Sequence, residues 1–487
     1  MLICGCCVSS SNNVYQGINP CRCAAPETLA AYRRIHADLS RREILGGMTA
    51  VLGMFAGFGL STTPAKSQTP PRPILLTNLR LFDGENLKIR EDVDILIDGG
   101  RISALPAKGQ GPADAERIDC GGRTVIPGLI DAHWHSTLAA VTQTTAMTGD
   151  IGYVHMVAAK EAGATLMRGF TTVRDMGGPA FALKRAVDEG VVPGPRIFPS
   201  GAMISQTSGH GDFRTLTELP RTNGELSYPE KVGVAAIADG ADLVLMRTRE
   251  QLMHGASQIK VMAGGGVASP YDPLEVTQYT ERELRAAVEA AEDWGTYVCS
   301  HAYTSAAVQR AIRAGIKSIE HGQLVDEETV KMMGDAGVWW SLQPFLMDED
   351  ANQYPDAERQ AAQKQVSEGT VRAFEWAKEY KIPTAFGTDI LMTPAGTASQ
   401  GRQLAKLARF MSPLEALHIG TGANVKLLAM SGGRSPYSGK LGVIEPGAFA
   451  DLLVVEGDPE KDLSFLSTPD ENFHLIMKGG QIFKNTL

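Results

Sequence analysis

From residue 74 onward the chain carries two kinds of apolar pattern. Ile74-Leu75-Leu76-Thr77-Asn78-Leu79-Arg80-Leu81-Phe82 is a strand-like run, Val93-Asp94-Ile95-Leu96-Ile97 alternates, and Gly99-Gly100 marks a turn before Arg101-Ile102. A similar patch closes the chain: Asp451-Leu452-Leu453-Val454-Val455, Phe473-His474-Leu475-Ile476-Met477, then Gly479-Gly480 and Gln481-Ile482-Phe483. Each patch has a paired-glycine turn, and the two are expected to pack as one small β-sandwich built from both ends of the mature chain. Between them, short apolar strands (Thr171-Thr172-Val173, Ile259-Lys260-Val261-Met262, Tyr297-Val298-Cys299, Thr384-Ala385-Phe386) alternate with helical stretches. Thr280 with Glu283 reads as a capping box opening a helix, residues 305–314 form another ended by Gly315, and Ser412-Pro413 starts a later one. Strand–helix alternation over about 300 residues predicts a (β/α)8 TIM-like barrel in an α/β protein. A doubly wound open sheet is the competing arrangement. It is weakened because Gly264-Gly265-Gly266 follows a strand without the spacing of a phosphate-binding loop. The expected divisions are a leader at 1–67, sandwich at 68–127, catalytic barrel at 128–436 and sandwich again at 437–487.

The first 67 residues read as an address. Ser40-Arg41-Arg42-Glu43-Ile44-Leu45 precedes a Gly-rich apolar run at 46–60, shorter than the roughly 20 residues that span a membrane. A basic stretch before a short apolar run suits a signal peptide, and paired arginines suit the twin-arginine route. Cleavage after Ala65-Lys66-Ser67 would release an exported, periplasmic chain with no membrane span; an uncleaved anchoring helix is the other reading. Five of seven cysteines (Cys4, Cys6, Cys7, Cys21, Cys23) also fall here, in a segment without a core pattern. They could bind metal, but an unstructured leader or an upstream start codon accounts for them. Cys120 and Cys299, the remaining two, do not make a disulfide scaffold.

Composition narrows the class. An apolar fraction of 43% and a charged fraction of 21% fit a soluble globular chain. Net charge is −9, and no basic run follows residue 70, which argues against a nucleic-acid partner.

The chemistry concentrates at strand ends. Val125-Ile126-Pro127-Gly128-Leu129-Ile130-Asp131-Ala132-His133-Trp134-His135 is an apolar strand ending in His-X-His, which aims both imidazoles to one side. His301 follows Tyr297-Val298, His321 ends Ser318-Ile319-Glu320, and Asp389 follows Ala385-Phe386. Strand ends converge on the mouth of a barrel, so four His and one Asp there make a site for two metals. Lys260 lies inside an apolar strand. Burial would lower its pKa and free its amine to take up CO2, giving a carbamate able to bridge two cations. A lysine with a buried stem and a solvated head is the plain alternative.

The ordered set His133-Trp134-His135, Lys260, His301, His321 and Asp389 resembles the binuclear amidohydrolase superfamily. Pro127-Gly128-Leu129-Ile130-Asp131 and Gly442-Val443-Ile444-Glu445-Pro446-Gly447 are similar to its flanking motifs. Thr172-Val173-Arg174-Asp175, Ser208-Gly209-His210-Gly211-Asp212, Gly264-Gly265-Gly266, Ser269-Pro270 and His301-Ala302-Tyr303 look most like the Xaa-Pro dipeptidase and ochratoxinase-like branch. That resemblance implies a carboxylated Lys260 shared by two divalent ions, usually zinc. It implies one ion on His133, His135 and Asp389, the other on His301 and His321, in a chain that is often a homo-oligomer.

The expected reaction is hydrolysis of a small peptide-like amide: a dipeptide such as Xaa-Pro, an N-acyl amino acid, or an ochratoxin-type amide. A hydroxide shared by the metals attacks, and Asp389 carries its proton to the leaving amine. His210 is expected to donate to the substrate carbonyl, or else to be a loop histidine. Tyr303 holds the released amino acid's carboxylate, or simply packs. His155, His254, His418 and His474 read as structural or exposed, and Trp339-Trp340 as core in preference to a pocket wall. Two other functions compete: cyclic amide opening or deamination, the latter opposed by Lys260, and an exported metal-binding protein without catalysis, against which the complete ligand set argues.

Overall fold

The computed structural model describes residues 72–221, 225–269, 271–354 and 356–487. The leader, its cysteines, the paired arginines and the cleavage site lie outside the described residues. Among the described helices, none is long and apolar enough to cross a membrane.

Strands β1 (Ile74–Thr77), β2 (Arg80–Phe82), β3 (Ile89–Arg90), β4 (Ile95–Asp98), β5 (Arg101–Ala104), β6 (Glu116–Asp119) and β7 (Thr124–Pro127) come first. The barrel strands are β8 (Leu129–Trp134), β9 (Phe170–Asp175), β10 (Arg196–Pro199), β11 (Met203–Ser205), β12 (Ala235–Ile237), β13 (Ile259–Met262), β14 (Val298–Thr304), β15 (Ser318–Leu324), β16 (Trp339–Leu342) and β17 (Thr384–Phe386). Last come β18 (Leu452–Val455), β19 (Phe473–Lys478) and β20 (Gln481–Asn485).

The sandwich draws on both ends of this order. One sheet runs β5-β4-β1-β6 and the other β20-β19-β18-β7-β2-β3. Alternation puts Leu76, Ile95 and Ile97 of the first sheet into one core with Leu81, Val125, Val454 and Leu475 of the second. Its two paired-glycine turns meet. Gly100 and Gly480 both have φ of +78°, and a Cβ on Gly480 would lie 2.8 Å from Gly100 Cα, so only glycine fits.

The middle strands pair in parallel as β10-β9-β8 and β12-β11-β13-β14-β15-β16-β17. β10 and β11 together fill one position, the first pairing with β9 and the second with β13. Backbone bonds join the sheets at both ends. Ser257 N–H donates to Pro199 O at 2.8 Å, and Asp389 N–H to His133 O at 2.8 Å. Asn424 ties β8 to β17, donating to Ile130 O and Phe386 O and accepting from Phe386 N–H. The wall thereby closes into the expected α/β barrel. Its helices begin where capping chemistry says: Thr280 accepts from Glu283 N–H while Glu283 accepts from Thr280 N–H, opening Glu281–Asp293. A long helix, Ala357–Glu379, follows β16 and was not anticipated.

Candidate active site

His133 lies near the end of β8 and His135 just beyond it; Lys260 is on β13, His301 on β14, His321 on β15, and Asp389 follows β17. All are buried except Asp389, whose side chain keeps 20% exposure. His133 Nε2 and His135 Nε2 each lie 3.2 Å from Asp389 Oδ1. Lys260 Nζ is 3.4 Å from His133 Nε2, and His321 Nε2 is 3.9 Å from Asp389 Oδ2. The rings of His301 and His321 meet edge to face, 4.6 Å between centroids. Six positions spread along the sequence thus converge at one end of the barrel. Asp389 reaches its place through a left-handed backbone, φ +54°, stabilised by its N–H on His133 O.

The second nitrogen of each imidazole explains what the first can do. His133 Nδ1 bonds Glu320 Oε2 at 2.9 Å, and His135 Nδ1 bonds Gly177 O at 3.0 Å. His301 Nε2 bonds Gly265 O at 3.0 Å, and His321 Nδ1 bonds Gln343 Oε1 at 2.8 Å. Each acceptor takes a ring N–H, which leaves the opposite nitrogen a lone pair. That is the tautomer a metal needs from a neutral histidine. The donor set therefore fits a divalent cation, and ligand atoms of His133, His135 and Asp389 lie within 4.8 Å of one another.

Electrostatics agree. Burial holds His301 well below its ordinary range, reinforced by His210 and His321. Burial likewise takes His321 down to about 3 against the pull of Asp389. Lys260 is lowered by burial, with Glu320 and Asp389 opposing. Burial pushes Asp389 up, but His133, His135 and His321 outweigh it and hold the carboxyl well below the usual range. Burial thus disfavours the charged forms of His301, His321 and Lys260, while Asp389 is held toward its carboxylate.

One buried pair escaped the sequence reading. Arg174 on β9 donates from Nη2 to both Glu320 oxygens at 2.8 Å, and from Nε to Ala132 O at 2.5 Å. Both side chains are fully buried. The available signal was the one used for Lys260, a charge inside an apolar strand. Gln343 was also missed, and a polar residue after a strand carries no comparable signal.

A cavity of about 410 Å³ opens over these groups, lined among others by His210, Tyr303, Phe345, Tyr354 and Asp389. His210 stacks on His301 at 3.9 Å, with an interplanar angle of 11°. Tyr303 stacks on His321 at 5.0 Å. The remaining described histidines lie elsewhere: His155 bonds Ile151 O and Pro179 O, His254 stacks on Phe181, His418 bonds Gly84 O, and His474 bonds Thr486. Trp340 is fully buried and donates to His321 O, so it supports the site from behind.

Residues 124–483 match the amidohydrolase family model. The chain belongs to the amidohydrolase family. Among relatives of this amidohydrolase, ochratoxinase of Aspergillus niger is 31% identical over 384 residues, covering 74% of this chain and 75% of its own. A solved prolidase, complexed with N-methylphosphonate-L-proline, is 35% identical with a TM-score of 0.76, covering 85% of this chain and all of its own. A Xaa-Pro dipeptidase with methionine in its active site is 29% identical with a TM-score of 0.73, over 85% of this chain and all of its own. The ochratoxinase-like branch, read from the sequence, is thereby supported by sequence and fold. The protein is a hydrolase of amide C–N bonds, of a family that generally binds divalent metals.

Proposed function

We propose that this amidohydrolase cleaves a small peptide-like amide, of the Xaa-Pro, N-acyl amino acid or ochratoxin type, with two divalent ions, zinc foremost. Its ligands are His133, His135, Lys260, His301, His321 and Asp389. The observation that carries the reading is four histidines, each with one nitrogen committed to an acceptor, gathered round Asp389 and Lys260 beneath one cavity. Lys260, whose burial disfavours the charged ammonium, adds its amine to CO2 and loses a proton, becoming a carbamate. When bound, the ions supply Lewis acidity for the scissile carbonyl and acidify water. Asp389 accepts the proton of the attacking water and delivers it to the amide nitrogen as the C–N bond breaks. His210 faces the substrate from the cavity wall, and Tyr303 holds the carboxylate of the released amino acid.

The experiment is a screen of metal-replete enzyme against Xaa-Pro dipeptides, N-acyl amino acids and ochratoxin A, with cyclic amides and deaminase substrates alongside. Turnover of a linear amide is expected. Turnover confined to cyclic or deaminase substrates would replace this reading, and bound metal without any turnover would make the chain a metal-binding protein. Export by the twin-arginine route rests on Arg41-Arg42 ahead of the apolar run at 46–60. Arg41→Lys with Arg42→Lys is expected to leave precursor in the cytoplasm; unchanged periplasmic recovery would remove that part. A homo-oligomer, supported by the family resemblance, is checked by light scattering.

A further inference from the structure

His210 is held more firmly than a loop histidine needs to be. Its ring lies flat on His301. On Gly266, a Cβ would sit 2.0 Å from His210 Cε1 and 2.3 Å from Nδ1, so only a glycine leaves room for the ring there. The ring edge is held as well. Nδ1 lies 2.9 Å from Asp272 Oδ2, and the same oxygen accepts from Gln278 Nε2 at 3.2 Å. Gln278 Oε1 in turn accepts the backbone N–H of His210 at 2.9 Å. The Asp272 side chain is wholly buried, and its other oxygen, Oδ1, has no hydrogen-bond partner among the described residues. A buried carboxylate kept only for packing would be costly in that state, since buried polar groups are ordinarily satisfied.

We propose that Asp272 is a positioning residue for amide hydrolysis: it orients His210, seated between His301 and Gly266, so that Nε2 is the nitrogen presented to the substrate. This rests on the hydrolase reading above. Asp272 touches no substrate and acts through His210. The carboxylate acceptor places the ring proton at Nδ1 and fixes the ring's rotation, so Nε2 presents its lone pair in one geometry to a hydrogen-bond donor of the substrate. Gly264-Gly265-Gly266 acquires a reason: the last glycine is one face of the histidine's seat.

The test is a double-mutant cycle with Asp272→Asn and His210→Ala, read as kcat and KM on whichever amide the wild type turns over, with metal content and melting temperature recorded. Asp272→Asn is expected to lower kcat about 10- to 100-fold with KM nearly unchanged and metal retained, the range for residues that orient a working group. In the His210→Ala background the same substitution should add nothing. Gly266→Ala, should Asp272→Asn fold poorly, is expected to lower kcat likewise, and its crystal structure to show His210 displaced from His301. Wild-type kcat in Asp272→Asn, or losses that multiply in the double variant, would overturn the proposal. A wild type inactive on every amide would instead remove the functional reading, and the ring's position in Asp272→Asn crystals would then decide the seat alone.

Discussion

Glu320→Gln separates the charge that stabilises the barrel from the charge that prepares a ligand. The Glu320 carboxylate accepts from Arg174 Nη2 at 2.8 Å on both oxygens, from His133 Nδ1 at 2.9 Å and from Ser318 Oγ at 2.7 Å. A glutamine has one acceptor and one donor end. Whichever way its amide turns, an NH2 faces either Arg174 or the Nδ1–H of His133. Removing one member of a buried ion pair costs about 3–5 kcal/mol. We expect the lower end, about 3 kcal/mol, because Arg174 retains Ala132 O, Tyr297 Oη and Ser341 Oγ. Metal affinity should fall about 10- to 100-fold, since His133 either loses the acceptor that fixes its tautomer or keeps only a neutral amide oxygen in place of the carboxylate. Stability is measured by urea unfolding of metal-stripped protein, and affinity by competition with a chromogenic chelator. Glu320→Gln with Arg174→Met is expected to regain part of the stability but none of the affinity. Burial raises the Glu320 pKa, but Arg174 and His133 outweigh it and hold the group below its ordinary 4.5. Its stabilising contribution is therefore complete above pH 4.5 and is lost as pH falls below it, so the gap from the variant should narrow in acid. Unchanged metal affinity in Glu320→Gln would refute the tautomer argument, and unchanged stability the ion-pair argument.

Other outcomes follow from the same geometry. Asp389→Asn should fold and lose turnover about 100- to 10,000-fold, the span of general acid–base catalysis; near wild-type rates would take the proton-carrying role from Asp389. Stripping metal with a chelator should abolish turnover and lower the melting temperature, because a ligand at 100 times its Kd stabilises the folded state by about 2.7 kcal/mol; full activity in metal-free protein would end the metal reading. Lys478 is taken down to about 8 by burial and Arg196, so the folded chain releases its proton before the unfolded chain does. Wild-type stability relative to Lys478→Met should therefore rise between pH 8 and the ordinary 10.5, seen as converging urea midpoints; a pH-independent gap would refute the assignment.

Much of this was legible along the chain. A strand with period two must aim His133 and His135 to one side, and a capping box at Thr280 must start a helix, whatever surrounds them. Barrel topology brings strand ends to one mouth, so an ordered series of His, Lys and Asp at such ends already implied convergence. Local pattern could not say which residue answers which across the barrel. Arg174 and Glu320 are 146 positions apart, His210 and Asp272 are 62, and neither pairing leaves a periodicity to read. Buried charges and ring nitrogens take their partners from whatever the closed wall brings within about 3 Å, because an unmet one is costly away from water. The sequence by itself determined the barrel, the sandwich and the identity of the candidate ligands. Only the tertiary structure decided which nitrogen of each histidine is free, which carboxylate steadies it, and how a stack of rings and a glycine hold His210 at the cavity.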